Sequence, residues 1–461
     1  MILKIALRNI RRNTRRSAMT LSTIAVGAMA LLVFGAFIAN MVAGYETLMI
    51  RKLGHLSVFQ TGYFEFGTGN PAAYGISDHR RVMALMDQDD ELKAAIRVAS
   101  PVVTLYGIAG NFRIDTSRTV MGVGVVPADQ KRMRQWNEYR VELPVPTSAL
   151  LADDDPALGL IGSGLARMLG LCEATGVSGC RAPPPRRQRV DGAPSGEDFS
   201  ELLPPGEADP VHAGLPRIDV LAATVGGAPN VVSLFVGGVE VQGLKELDDS
   251  YVGMHLSLAQ KLLYGRSAPK VTGIVLQLHS THDMDRVRQR LATLFQRQGL
   301  DLEVRDFTEL VPIYKGVIGM FVTIFSFIAV IIGVIVMFSV VNTMSMSVME
   351  RINEIGTLRA MGVRRAGIRN QFLAEGGVLG AAGASMGLVG AVVVIFMVNR
   401  LGLTWTPPIS PRPIPLKLML DGQGLLVAGT WMGLVALATL AALLPARHAA
   451  RMEVVDALRH V

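Results

Sequence analysis

A chain of 461 residues that is 50% hydrophobic and only 18% charged has too little charge for an ordinary soluble enzyme of two or three domains. Its formal net charge of +7 is gathered into a few short stretches beside apolar runs. That placement excludes nucleic acid as the partner that explains the basicity.

A bilayer core about 30 Å thick needs ~20 helical residues to cross it. No Asp, Glu, Lys or Arg occurs between Arg16 and Glu46, Lys315 and Glu350, Glu375 and Arg400, or Asp421 and Arg447. These gaps predict four transmembrane helices, at 17–45, 316–346, 376–399 and 423–444. The first follows a basic segment, 1–16, and its apolar run exceeds the ~7–15 residues of a secretory signal. With no small-x-small cleavage site after it, it reads as an uncleaved helix. The second gap is longer than a bilayer requires, so its helix is expected to project into water as a stalk.

Lys and Arg beside membrane helices are retained in the cytoplasm. Residues 1–16 carry six basic and no acidic residues, 349–371 carry five Arg against two Glu, and 445–461 carry three Arg against two acids. Together they outweigh the chain's whole net charge, so the remainder is net acidic. This predicts both termini inside, residues 46–312 as one large extracytoplasmic domain, and 400–422 as a short outer loop. Pro407, Pro408, Pro411, Pro413 and Pro415 forbid regular helix in that loop.

The large domain reads as mixed α and β. Leu56–Thr61, Val102–Ile108 and Thr119–Val126 have strand character. Cys172 and Cys180, with seven residues between them, face the oxidising side in this topology and form either a local disulfide or two free thiols. An insert at 181–215, rich in Pro, Gly and Arg, reads as a flexible loop. A second α/β unit follows: a strand at Val271–Leu278, a helix at Asp283–Gln298 burying Val287, Leu291 and Leu294, and a return strand at Leu302–Val304. The fold class is thus an α-helical membrane protein with four transmembrane helices and a large mixed α/β extracytoplasmic domain between helices 1 and 2.

Catalytic chemistry is sparse. There is no P-loop pattern, no His-Glu-x-x-His and no Gly-x-Ser-x-Gly. His279, His282, Asp283 and Asp285 cluster at a strand-to-helix turn, where Asp283 is expected as a helix N-cap and the histidines as solvated loop residues rather than metal ligands. No catalytic, cofactor-binding or metal residue is therefore assigned.

The stretch from Asn342 to Gly362 has the chemistry of a docking helix. Glu350 and Glu354 lie one turn apart, Ile355 and Leu358 share an apolar face, and Gly356 and Gly362 permit redirection or close approach. On periodicity alone, a membrane-flanking helix whose charges only set topology reads equally well. In the third helix Gly376, Gly380 and Ala384 repeat every fourth residue, as do Gly383, Gly387 and Ala391. Such spacing lets two membrane helices approach closely, within one subunit or across a dimer.

The docking stretch resembles the signature of ABC-transporter permeases of the MacB, LolC/LolE and FtsX type, in which Glu-Arg-x-x-Glu-Ile-Gly-x-Leu-Arg-Ala-Met/Leu-Gly precedes the third helix. Leu7 to Asn13 with Arg16-Ser17 is similar to the family's amphipathic elbow helix, and Pro445 to Arg459 to its closing motif. Ile161 to Gly170 and Gly122 to Pro127 are similar to recurrent segments of its MacB-like core domain. The resemblance implies a non-catalytic, mechanotransmission-type permease in the bacterial inner membrane. Its partners would be a cytoplasmic ABC ATPase dimer holding ATP and Mg, a second permease copy or paralogue, membrane lipid, and a periplasmic carrier, adaptor or lipoprotein. Glu350, Arg351, Glu354, Ile355, Gly356, Leu358, Arg359 and Gly362 would be the ATPase-coupling residues. Only about sixteen residues precede the first helix, so the ATPase is expected on a separate chain. The large external domain favours lipoprotein release, export or efflux over FtsX-like control of a cell-wall hydrolase.

Overall fold

The computed structural model describes residues 14–111, 114–142, 151–180, 212, 214–242, 245–405 and 414–452. Outside the described residues lie most of the elbow segment (1–13), the bulk of the 181–215 insert, four of the five loop prolines (all but Pro415) and the closing motif beyond 452. The chain divides into two compact units: Tyr45–Pro312 with Thr406–Pro413, and Met1–Gly44 with Ile313–Trp405 and Ile414–Val461.

Helix α1 (Thr14–Leu53) is longer than its charge gap, and residues from Tyr45 onward belong to the α/β unit. Its end is bolted there by polar groups. Tyr139 Oη donates to Glu46 at 2.7 Å, Arg51 Nε to the Trp136 carbonyl at 2.6 Å, and Lys52 Nζ to Gln242 Oε1 at 3.0 Å. The buried Gln277 amide donates to the carbonyls of Ile50 (3.3 Å) and Met133 (3.0 Å). Gly54, at φ 70°, then turns the chain where a Cβ would lie 2.6 Å from the Leu276 carbonyl oxygen. Only glycine fits both demands.

The α/β unit continues through β1 (Leu56–Gln60), α2 (His79–Gln88), α3 (Asp90–Ala95), β2 (Ile96–Asn111), β3 (Thr116–Val125), α4 (Pro127–Arg134), β4 (Leu158–Gly162), α5 (Ser163–Met168) and α6 (Cys172–Thr175). After these come β5 (Arg217–Ala223), β6 (Pro229–Glu240), α7 (Lys245–Asp248), β7 (Tyr251–His255), α8 (Leu256–Tyr264), β8 (Gly273–Leu278), α9 (Met284–Gln298), β9 (Leu302–Asp306) and α10 (Phe307–Leu310). Strands β9-β1-β8-β2 form an open sheet in which β1 runs antiparallel to both β8 and β9. With α2 and α3 after β1 and α9 after β8, this is a ferredoxin-like β-α-β-β-α-β unit. Strand β2 is shared: residues 96–102 pair with β8 and 103–111 with β3. Its second half closes a six-stranded ring, β2-β3-β7-β4-β6-β5, inserted between β2 and β8.

Helix α9 buries Val287, Leu291 and Phe295. The expected Leu294 only packs at the margin, because an i, i+4, i+8 row selects 295 over 294. In the barrel, a Cβ on Gly124 would lie 2.3 Å from Ala259 Cβ, so α8 rests directly on the β3 backbone. At the β4–α5 turn the Asp248 carboxylate accepts from the amides of Ser163 (3.1 Å), Gly164 (2.8 Å) and Gln242 (3.2 Å). Cys172 and Cys180 are joined by a disulfide. Asp283 occupies the N-cap position of α9, as expected, but its carboxylate makes no capping bond and pairs with Arg286 at 2.7 Å; Ser280 caps the preceding 3-10 turn at Thr281–Asp283, accepting from the His282 amide. Among the described residues no group of three His, Cys, Asp or Glu is placed to hold a metal.

The second unit contains α1 up to Gly44, α11 (Pro312–Glu350), α12 (Ile352–Ala360), α13 (Arg365–Leu401), α14 (Gly424–Ala441) and α15 (Leu443–Arg451). Among the described residues four helices are long and apolar enough to cross a membrane: α1, α11, α13, and α14 running on into α15. The glycines of α13 pack within the subunit. Cβ atoms on Gly383 and Gly387 would fall 2.7 Å from Ile24 Cβ and 2.4 Å from the Ala25 carbonyl oxygen of α1. On Gly376 and Gly380 they would fall 2.6 Å from Ala442 Cβ and 2.8 Å from Ala438 Cβ, beside α14. The two small-residue stripes therefore seat two different helices of the same chain.

Gly387→Val is expected to cost about 1–3 kcal/mol through overpacking against α1, whereas Gly429→Val, at an exposed position with open space around it, costs little. Thermal unfolding in mild detergent compares the two. A second prediction concerns His55, which is fully buried, accepts from the Leu278 amide at Nδ1 (3.0 Å) and stands edge-on to Trp136. Burial pushes its pKa down to about 4, from 6.5. The unfolded chain therefore takes up a proton that the folded chain refuses, and stability falls as pH drops from 6.5 towards 4, by about 3 kcal/mol when complete. The unfolding midpoint of wild type should fall between pH 6.5 and 5, and His55→Gln should flatten that slope.

Candidate functional site

The expected coupling residues gather at one end of the helical unit, where α11 ends, α12 crosses and α13 begins. Helix α12 forms because Ile352, Ile355 and Gly356 are buried towards the membrane helices. Ile355 joins the cluster of Phe372, Ile368 and Ala446, with Leu358 and Val363 packed against it. Gly362, at φ 91°, ends the helix: its amide bonds to Arg359 O and that of Val363 to Leu358 O at 3.0 Å. This left-handed stop with a hydrophobic residue after it is a Schellman closure, and it returns the chain into α13.

The expected residues divide by direction. Glu354 and Gly362 are exposed, and Leu358 and Arg359 are half-buried. Ile355 and Gly356 face inward, so they hold the helix rather than touch a partner. Arg351 was expected in the docking set but turns into the protein, its Nη1 donating to Glu375 Oε1 at 3.0 Å with only 11% of its side chain exposed. The reason is positional: Arg351 is the single residue between α11 and α12, and the break in the helix aims it at α13. Glu350 pairs with Arg16 of α1. One turn further along the same contact, the Thr20 and Thr343 hydroxyls meet at 2.5 Å.

The outward face of α12 is Asn353, Glu354, Thr357 and Ala360, continuing into Met361, which is 69% exposed. Around it lie the exposed basic residues Arg364, Arg365, Arg369, Arg447 and Arg451. Helix α15 buries Pro445, Ala446, Ala449 and Ala450 and leaves its Arg and His outside. Such a surface offers a partner protein a mixed polar and methionine face on a firmly packed helix. Thr357, Met361 and Glu375 were not singled out as site residues from sequence, and Arg16 was read only as a topology charge and part of the elbow segment. Glu375 was visible as the charge bounding an uncharged run, and Met361 as a large apolar residue beside a helix-ending glycine.

Residues 324–454 match the family model described as FtsX-like permease C-terminal. The chain is 28% identical over 239 residues to the macrolide export ATP-binding/permease protein MacB of Hyphomonas neptunium, covering 51% of this chain and 34% of that protein. It is 27% identical over 243 residues to the lipoprotein-releasing system transmembrane protein LolC of Xylella fastidiosa, covering 51% of this chain and 57% of that protein. The chain thus spans 34–57% of the length of these relatives. The solved periplasmic region of MacB from Actinobacillus actinomycetemcomitans aligns at 12% identity with a TM-score of 0.30, over 58% of this chain and 95% of that one.

The native cysteines are bonded to each other, so single-cysteine labelling reads this surface cleanly. Thr357→Cys and Met361→Cys should react readily with a polar maleimide in detergent. Ile355→Cys should react only after denaturation; equal labelling of all three would contradict the orientation of α12.

Proposed function

We propose that this chain, whose residues 324–454 match the FtsX-like permease C-terminal model, is a non-catalytic permease subunit of an inner-membrane ABC transporter. The observation that carries this reading is α12, a short helix seated on the membrane helices with a solvent-facing side of Asn353, Glu354, Thr357 and Met361. The positive-inside pattern of Arg and Lys puts this end in the cytoplasm. There a dimer of ABC ATPase subunits, holding ATP and Mg, docks against it. Closure of the ATPases presses on α12 and reaches α11 and α13, between which it lies in the chain. The α/β unit, on the opposite side of the membrane, then moves against extracytoplasmic cargo. A second permease, identical or paralogous, completes the assembly.

The relatives named for lipoprotein release and macrolide export support a cargo that is a lipoprotein or another amphipathic molecule. A signalling module driving a wall hydrolase is the alternative.

A mild-detergent pull-down from native membranes, read by mass spectrometry, tests the proposal. An ATPase with a lipoprotein, carrier or second permease supports it; an ATPase with a wall hydrolase favours signalling; an intact complex with no ATPase overturns it. Two variants sharpen the result. Glu354→Lys reverses charge on the exposed face and should weaken ATPase association while leaving thermal stability within ~0.5 kcal/mol of wild type. Gly356→Pro breaks α12 in its interior, at about 3 kcal/mol, and should leave the protein inserted but uncoupled.

A further inference from the structure

Glu375 is 2% exposed and lies almost three turns inside α13, a helix with a mean composition suited to lipid. A buried carboxylate at such a place is costly unless it is paired. Both of its oxygens face Arg351 Nη1, at 3.0 and 3.4 Å. The next residue, Gly376, packs closely where α14 gives way to α15: a Cβ there would come 2.6 Å from Ala442 Cβ. The carboxylate is therefore mounted on a closely packed stretch of α13. Its partner is the one non-helical residue joining α11 to α12, and the residue before that partner is paired with α1 through Arg16. An apolar pair of the same size would stabilise such a junction as well or better. What the ion pair adds is direction: it fixes where the α11–α12 break points.

We infer that Glu375 is a positioning residue of the coupling site, which holds Arg351 and through it the angle at which α12 leaves α11. Force applied to α12 then reaches α13 directly as well as along α11. Glu375 itself is buried and does not belong to the exposed face of α12. The inference rests on the ATPase-coupling reading.

The test uses the full chain with the ATPase that co-purifies with it, reconstituted in lipid nanodiscs. If wild type brings down no ATPase, the coupling reading fails and this inference with it. If wild type does, the variants Glu375→Gln, Arg351→Glu and the reciprocal swap Arg351→Glu/Glu375→Arg are compared. A spin label at Thr357→Cys reports the motion of α12. Glu375→Gln is expected to keep ATPase binding but lose the permease-dependent change in ATP turnover by roughly tenfold, a typical coupling between sites. The label becomes more mobile and no longer responds to ATP. The swap should restore the label's ATP response, which a residue acting only through general packing would not do. Wild-type turnover control and label response in Glu375→Gln would overturn the inference. So would a folded swap variant without recovery. Should Glu375→Gln not fold, the swap decides alone: recovery supports the inference, and failure to recover or to fold overturns it.

Discussion

The close approach of α13 to two neighbours is the constraint on which the helical unit depends. In a membrane an apolar side chain gains nothing by leaving lipid for another apolar side chain, so packing, not burial, selects which helices touch. Glycines remove the side chain from the contact and let backbones meet. Gly383 and Gly387 bring α1 against one side of α13, while Gly376 and Gly380 bring α14 against another. With those two helices fixed, α15 covers α13 with the small residues Ala446, Ala449 and Ala450. Helix α12 closes the same end with Ile355. The exposed face of α12 thus rests on a foundation of missing side chains.

In the α/β unit the corresponding constraint is the sixteen-residue strand β2. Its first half completes the ferredoxin-like sheet and its second half closes the barrel, so neither lobe exists without it. Ring closure also removes edges that would otherwise invite pairing with other chains. The core accordingly runs through both lobes as one cluster, from Leu56 and Leu276 in the sheet to Val220 and Leu234 in the barrel.

Sequence reading located these parts unevenly, for physical reasons. An uncharged gap marks only the part of a helix that must lie in lipid. Helix α1 runs on through Glu46, Arg51 and Lys52 because those charges find partners in the α/β unit, and α13 begins at Arg365 because its first turns are solvated. Local strand character was visible around Val102–Ile108, but no local pattern states that one strand serves two sheets. Parallel pairings such as β3 with β7 join segments more than a hundred residues apart. Around α12 the charges and glycines were legible, whereas the inward turn of Arg351 depends on a helix break and on a carboxylate in another helix.

The chain passes between the two units in two different ways. Helix α1 is uninterrupted from Thr14 to Leu53, and its last turns are tied to the loop around Trp136, to β8 through Gln277, and to Gln242. Helix α11 instead starts at Pro312, after a non-helical Val311 that ends α10. A helix without a break carries torque and displacement along its axis, whereas a broken one absorbs them at the break. The same logic holds at the other end of α11, where Arg351 interrupts the helix. There the interruption is braced by Glu375, and Glu350 beside it by Arg16.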